Sequence, residues 1–160
     1  MNYRTPRTIA TAIQGMLPID FESGNPLPGF GVNTTTYADR SEQPGPVARL
    51  IDGLLRKGFA HSEIVILTLR GETHSIFSER DRVGNFTLRR FSGDYDLFGN
   101  ELYSPGQITF ESVRRFKGQQ APAVILVDIE PDPARPELLQ RLLYTGMTRA
   151  TVRVELVRRR

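Results

Sequence analysis

The sequence predicts an α/β domain built on a mainly parallel sheet. Two continuous apolar runs, residues 63–69 and 123–128, have the composition of strands buried on both faces. Between and around them lie segments whose apolar residues recur at helical spacing. At 160 residues the chain is long enough for one domain with a substantial core. Helices alternating with apolar strands place the helices over both faces of a parallel sheet.

In chain order, residues 5–17 read as a helix, with Ile9, Ala12, Ile13 and Met16 on one stripe, Pro6 in the first turn and Pro18 beyond the end. Residues 22–31 are rich in Gly and Pro and form a loop. Residues 32–37 alternate with Thr as a strand does. A second amphipathic helix covers 46–57, using Val47, Leu50, Ile51, Leu54 and Leu55, with Gly58 as its cap. The buried strand of 63–69 follows, then shorter strands over 86–91 and 107–110. The second buried strand ends at Asp128, residues 137–144 form a helix, and 152–157 form the closing strand. Open sheets of this kind take their ligands at the carboxyl ends of the strands. No internal repeat or low-complexity tract interrupts the pattern.

Composition excludes several classes. Hydrophobic residues make up 39% and charged residues 24%, as in a soluble globular protein, and no apolar run is long enough to span a bilayer. There is no Cys and there are only two His, His61 and His74, so neither disulfides nor a metal centre is expected. A cytoplasmic setting is expected, with no membrane partner. Of the 21 cations only Lys57 and Lys117 are Lys, and the planar fork of Arg suits bidentate contact with phosphate. An Arg-biased genome explains the same count. The terminal Arg158-Arg159-Arg160 reads as a solvated tail or a cut end.

Three segments carry candidate chemistry. Tyr144-Thr145-Gly146-Met147-Thr148-Arg149-Ala150 follows a helical stretch; the helix is expected to loosen at Gly146 and present Arg149, bracketed by two Thr, to a phosphate. Ser112-Val113-Arg114-Arg115-Phe116-Lys117-Gly118-Gln119-Gln120-Ala121-Pro122 combines cations with a Gly that lets backbone approach phosphate. Asn2-Tyr3-Arg4-Thr5-Pro6 sets an aromatic and an Arg at a helix start, where they could stack on a base and touch phosphate. Taken singly, each has a plainer reading: a helix-end Arg, a basic surface turn and a frayed terminus. Neither Lys stands in a G-x-x-x-x-G-K-[ST] pattern, so the chain has no Walker A phosphate cradle. Without one, Asp128 is the polar end of a buried strand and not a magnesium ligand.

In this order the three segments resemble motifs of the second RecA-like domain of UvrD/Rep-type superfamily 1 helicases, over residues 2–157. Residues 64–70 are also similar to a family strand ending in Arg, here Arg70. The resemblance implies a RecA-like fold lacking its own Walker A, with residues 1–160 forming that second domain of a longer protein. It implies that Tyr3 stacks on adenine and that Arg4 and Arg149 reach the γ-phosphate of ATP as catalytic residues. Lys117, Gly118 and Gln120 fall in the nucleotide-binding loop, and Ser112 and Arg114 at single-stranded nucleic acid. Arg114 stands where the family has His, and Gln120 where it has Glu. The implied cofactor is ATP with Mg²⁺, held mainly by a first RecA-like domain. The implied partners are that domain and single-stranded DNA or RNA. Two other readings remain open: a helicase-derived binding or regulatory module without ATPase activity, and an unrelated α/β nucleotide-binding protein.

Overall fold

The structure, a computed structural model, describes residues 31–71 and 74–160. The helix predicted over 5–17, all of the loop predicted over 22–31 except Gly31, and Tyr3 and Arg4 lie outside the described residues.

Seven strands form the main sheet: β1 (Gly31–Tyr37), β2 (Ile64–Thr68), β3 (Arg82–Val83), β4 (Phe86–Arg89), β7 (Ile108–Ser112), β8 (Ala121–Ile129) and β9 (Ala150–Arg159). Their spatial order is β1-β9-β8-β2-β7-β4-β3. Every pairing is parallel except β3 with β4. Strands β5 (Phe91–Tyr95) and β6 (Glu101–Tyr103) make a separate antiparallel hairpin. Helix α1 (Pro44–Arg56) joins β1 to the centre of the sheet, and α2 (Pro136–Met147) crosses from β8 to β9.

The two predicted apolar runs are the two central strands, and the reason is visible in their alternation. Val65, Leu67, Val124 and Leu126 face one way and pack with Leu143 and Met147 of α2. Ile64, Ile66, Ile125 and Val127 face the other way and pack with Val47, Ile51 and Leu54 of α1. Each strand is covered on both sides, so neither has a polar face to alternate with. Removing a side chain of this size from water contributes about 1.5–3 kcal/mol, so these two strands anchor the domain.

The structure departs from the sequence expectations in three places. Helix α2 does not loosen at Gly146; it runs through to Met147 and ends at Thr148. Gly146 serves close packing, because a Cβ there would lie 2.7 Å from Leu126 Cδ2 on β8. The terminal Arg residues are not a solvated tail. Arg158 and Arg159 belong to β9, and Arg159 Nε sits 2.7 Å from Glu130 Oε1. The hairpin of β5 and β6 has no counterpart in the sequence pattern beyond the strand predicted over 86–91.

Candidate functional site at two ends of one sheet

The connection between β7 and β8, residues 113–120, decides where the candidate residues lie. Both strands run parallel to β2, so this short segment must return from the carboxyl end of the sheet to its amino end. It is pinned by two apolar side chains three residues apart. Val113 and Phe116 are buried in the α2-side core, while Arg114 and Lys117 are exposed. Val113 N–H donates to Thr68 O (3.0 Å) and Phe116 N–H to Ser112 O (3.1 Å), closing a helical turn. Gly118 then reverses the chain at φ 86°, a conformation that a residue with a Cβ adopts only at a cost.

At the carboxyl end, a cleft of about 420 Å³ opens between the ends of β2, β7 and β8 and the first turns of α2. Ser112 and Arg114 both line it, with Arg70, His74, Glu130 and Arg135. The floor is apolar, from Leu69, Leu138, Leu139 and Leu142. Arg70 and Arg135 are engaged with acids, Arg70 Nη1 with Glu130 (3.2 Å) and Arg135 Nε with Asp132 (3.7 Å). Arg114 has no ion-pair partner among the described residues, which leaves its guanidinium available to an anion in the cleft. Ser112 is buried, and its Oγ accepts the Arg115 N–H at 3.2 Å, capping the turn.

Beneath the cleft lies a buried polar knot of which the sequence discloses one member. Asp128 holds φ at 60°, the single described non-Gly residue with positive φ, where the register of β8 with β9 shifts. Its Oδ1 accepts from Gln43 Nε2 (2.8 Å), and its Oδ2 accepts from Thr68 Oγ1 (2.7 Å) and Ser75 Oγ (2.6 Å). Its backbone N–H, lost to the strand ladder, donates to Gln43 Oε1 at 2.9 Å. One carboxylate thus ties the start of α1, the end of β2 and the loop after it to β8. Asp128 is indeed the polar end of a buried strand.

Beside the knot, Glu130 is shared by Arg40 (2.8 Å), Arg70 (3.2 Å) and Arg159 (2.7 Å). Burial, and next the Glu130 carboxylate, push the Tyr37 hydroxyl well above its ordinary range.

The other candidate residues collect at the amino end. The first rung between β8 and β9 pairs Ala121 with Ala150, and Ala121 N–H donates to Arg149 O at 2.9 Å. Gln120 and Arg149 therefore sit side by side just before that rung, each immediately preceding one of two adjacent strands. Lys117, Gly118 and Gln120 are exposed on the approach to it, and Arg149 is half-buried. The Thr bracket orients this Arg through the chain's own hydrogen bonds. Thr148 Oγ1 donates to Thr145 O (2.9 Å) and accepts from Arg149 Nη2 (3.2 Å). Gln120 also lines a smaller recess of about 240 Å³ with Arg89, Tyr103 and Glu111.

The candidate residues are therefore divided between the two ends of this sheet. Of the six candidate residues within the described part, two lie at the carboxyl end, and four lie at or on the approach to the amino end. Among the described residues no cluster of His, Asp or Glu side chains could hold a metal ion, and no helix is long and apolar enough to cross a membrane.

This fold is similar to that of a solved domain. The crystal structure of the C-terminal domain of a possible DNA helicase from Lactobacillus plantarum WCFS1 is similar to it with a TM-score of 0.57 and 20% sequence identity, over 98% of this chain and 87% of that one. The sequence adds a match to a family model over part of its length. Residues 107–157, about a third of the chain, match the model of the UvrD-like helicase C-terminal domain. The match spans both ends of the sheet just described, from β7 through the crossing segment and α2 to β9. No curated protein matches the chain.

Proposed function

We propose that this chain is the second motor domain of an ATP-dependent helicase, holding nucleotide at the amino end of its sheet and single-stranded DNA at the carboxyl end. The observation that carries the reading is the segment 113–120, which joins the two ends with Arg114 on one side and Lys117, Gly118 and Gln120 on the other. ATP with Mg²⁺ is the substrate. A first RecA-like domain supplies the phosphate cradle and magnesium ligands, for which this chain has no pattern. Tyr3 stacks on the base, and Lys117, Gly118 and Gln120 meet the nucleotide. Arg4 and Arg149 stabilise charge that grows on the transferring phosphoryl group. Loss of the γ-phosphate releases the bridge between the two domains, and the movement is felt by DNA held at Ser112 and Arg114.

The reading fits the geometry in three respects. Arg149 is preset by Thr148, Gly118 exposes backbone that a phosphate can approach, and Arg114 stands over an open cleft with its charge uncompensated by described neighbours. Titration of a fluorescent single-stranded oligonucleotide by anisotropy at two salt concentrations tests the carboxyl-end assignment. Affinity should fall as salt rises, and Arg114→Ala should weaken binding and lower the magnitude of the log–log salt slope by about one. Binding indifferent to salt, or unchanged in Arg114→Ala, would remove the cleft from the DNA path.

A further inference from the structure

The hairpin of β5 and β6 carries a surface that this function leaves unused. Leu97 and Phe98 at its tip are 100% and 88% exposed, with Tyr95 and Leu102 beside them at 58% and 43%. These are the large exposed hydrophobics of the described residues, and all four fall within one hairpin. Large apolar side chains gathered in one exposed patch, unlike scattered ones, mark an interaction site.

The tip is built to hold its shape. Asp96 accepts the backbone N–H of Phe98 (2.8 Å) and of Asn100 (2.9 Å) on Oδ1, and Asn100 Nδ2 on Oδ2 (3.1 Å). Gly99 closes the turn, donating to Asp96 O at 3.1 Å. The stem is equally fixed. A lone two-stranded hairpin is marginal in water, but this one is clamped by Arg115. That guanidinium lies 4.0 Å from the centre of the Phe91 ring, 3.1 Å from Glu101 and 3.0 Å from Glu111. Tyr103 Oη donates toward the same two carboxylates (3.0 and 3.1 Å), under the Arg89 guanidinium. A rigid aromatic presented this way loses little entropy on binding, which is what binding hot spots require.

Charge selects the occupant. Between Phe91 and Tyr103 there are three acids, Asp94, Asp96 and Glu101, and no Lys or Arg. Glu101 is paired with Arg115, so Asp94 and Asp96 are the acids left toward the tip, on a chain whose formal charge is +3. An acidic tip on a basic domain repels the phosphate backbone that the cleft is suited to attract. We propose that the hairpin tip is a docking surface for a protein partner whose face is an apolar pocket rimmed by cations. Phe98 and Leu97 fill the pocket, and Asp94 meets the rim.

Selection of a random peptide library displayed on phage against the full chain tests this, with Phe98→Ser and Leu97→Ser chains as counter-targets. Both side chains are in solvent, so both variants should melt at the wild-type temperature. Enriched peptides should place aliphatic or aromatic residues between Arg or Lys. They should bind the Phe98→Ser chain at least about tenfold more weakly and should weaken with Asp94→Asn and with added salt. Peptides that bind irrespective of Phe98 and Leu97, or that lack basic residues, would overturn the proposal. So would self-association that depends on Phe98 in sedimentation, which makes a second copy the occupant. A fall in single-stranded DNA affinity in Phe98→Ser would make the tip a nucleic-acid contact and overturn it too.

Discussion

Asp128 shows how much of this fold rests on one side chain. Three hydrogen bonds converge on its carboxylate and one leaves its backbone, all buried beneath the cleft. A buried charged acceptor with donors on both oxygens is worth well over an ordinary hydrogen bond, and its removal leaves Gln43, Thr68 and Ser75 unsatisfied. The positive φ adds a backbone cost that any side chain other than Gly, Asn or Asp must carry. Asp128→Ala should destabilise the domain by about 3 kcal/mol, lowering the melting temperature by roughly 6–12 °C for a chain of this size. Asp128→Asn, which tolerates the same φ and keeps one acceptor oxygen, should cost less. Equal melts for the wild type and Asp128→Ala would show that the knot contributes nothing. The sequence discloses Asp128 itself, because a carboxylate that ends an apolar strand is conspicuous. It does not disclose the partners, which lie 85, 60 and 53 residues away. Nothing local to Gln43 or Ser75 marks either as one side of a buried bond.

The elements differ in the same way, according to whether their signal is local. Strands β2 and β8 and helices α1 and α2 are legible because burial on both faces, or on one stripe, writes itself into the spacing of apolar residues. The hairpin is not, because its apolar residues face solvent and its role is fixed by Arg115 across the fold. Gly146 misleads for a related reason. A Gly near a helix end ordinarily marks the end, and only the approach of Leu126 shows that it keeps the helix close to the sheet. Gly53 and Gly146 therefore predict opposite outcomes in urea denaturation. A Cβ on Gly53 in α1 would meet nothing within 4 Å, so Gly53→Ala should stabilise by about 0.5–1 kcal/mol. Gly146→Ala gains the same propensity but must push Leu126 aside in a packed core, and should destabilise by about 1–3 kcal/mol. Stabilisation by Gly146→Ala would mean that helix and sheet are not in close contact there.

At the scale of the whole molecule, the parallel sheet separates two sets of residues and one short segment links them. Residue types and order suggest each set, but their placement at opposite ends follows from topology: the crossing of 113–120 and the return of α2 set Lys117, Gly118, Gln120 and Arg149 apart from Ser112 and Arg114. Arg149 bears the greatest weight in the proposed mechanism, because a guanidinium positioned at a phosphoryl group acts on the transition state more than on bound ATP. A Lys cannot reproduce its planar fork, so charge alone should not restore function. The most direct test measures kcat for ATP hydrolysis and nucleotide Kd in the proposed two-domain helicase carrying Arg149→Ala or Arg149→Lys, beside a thermal melt. The proposed role predicts a loss of ~10³–10⁵ in kcat for Arg149→Ala, little recovery in Arg149→Lys, a nearly unchanged Kd and an unchanged melt. Normal hydrolysis by Arg149→Ala, or a variant that unfolds, would contradict it and return Arg149 to the role of a helix-end cation.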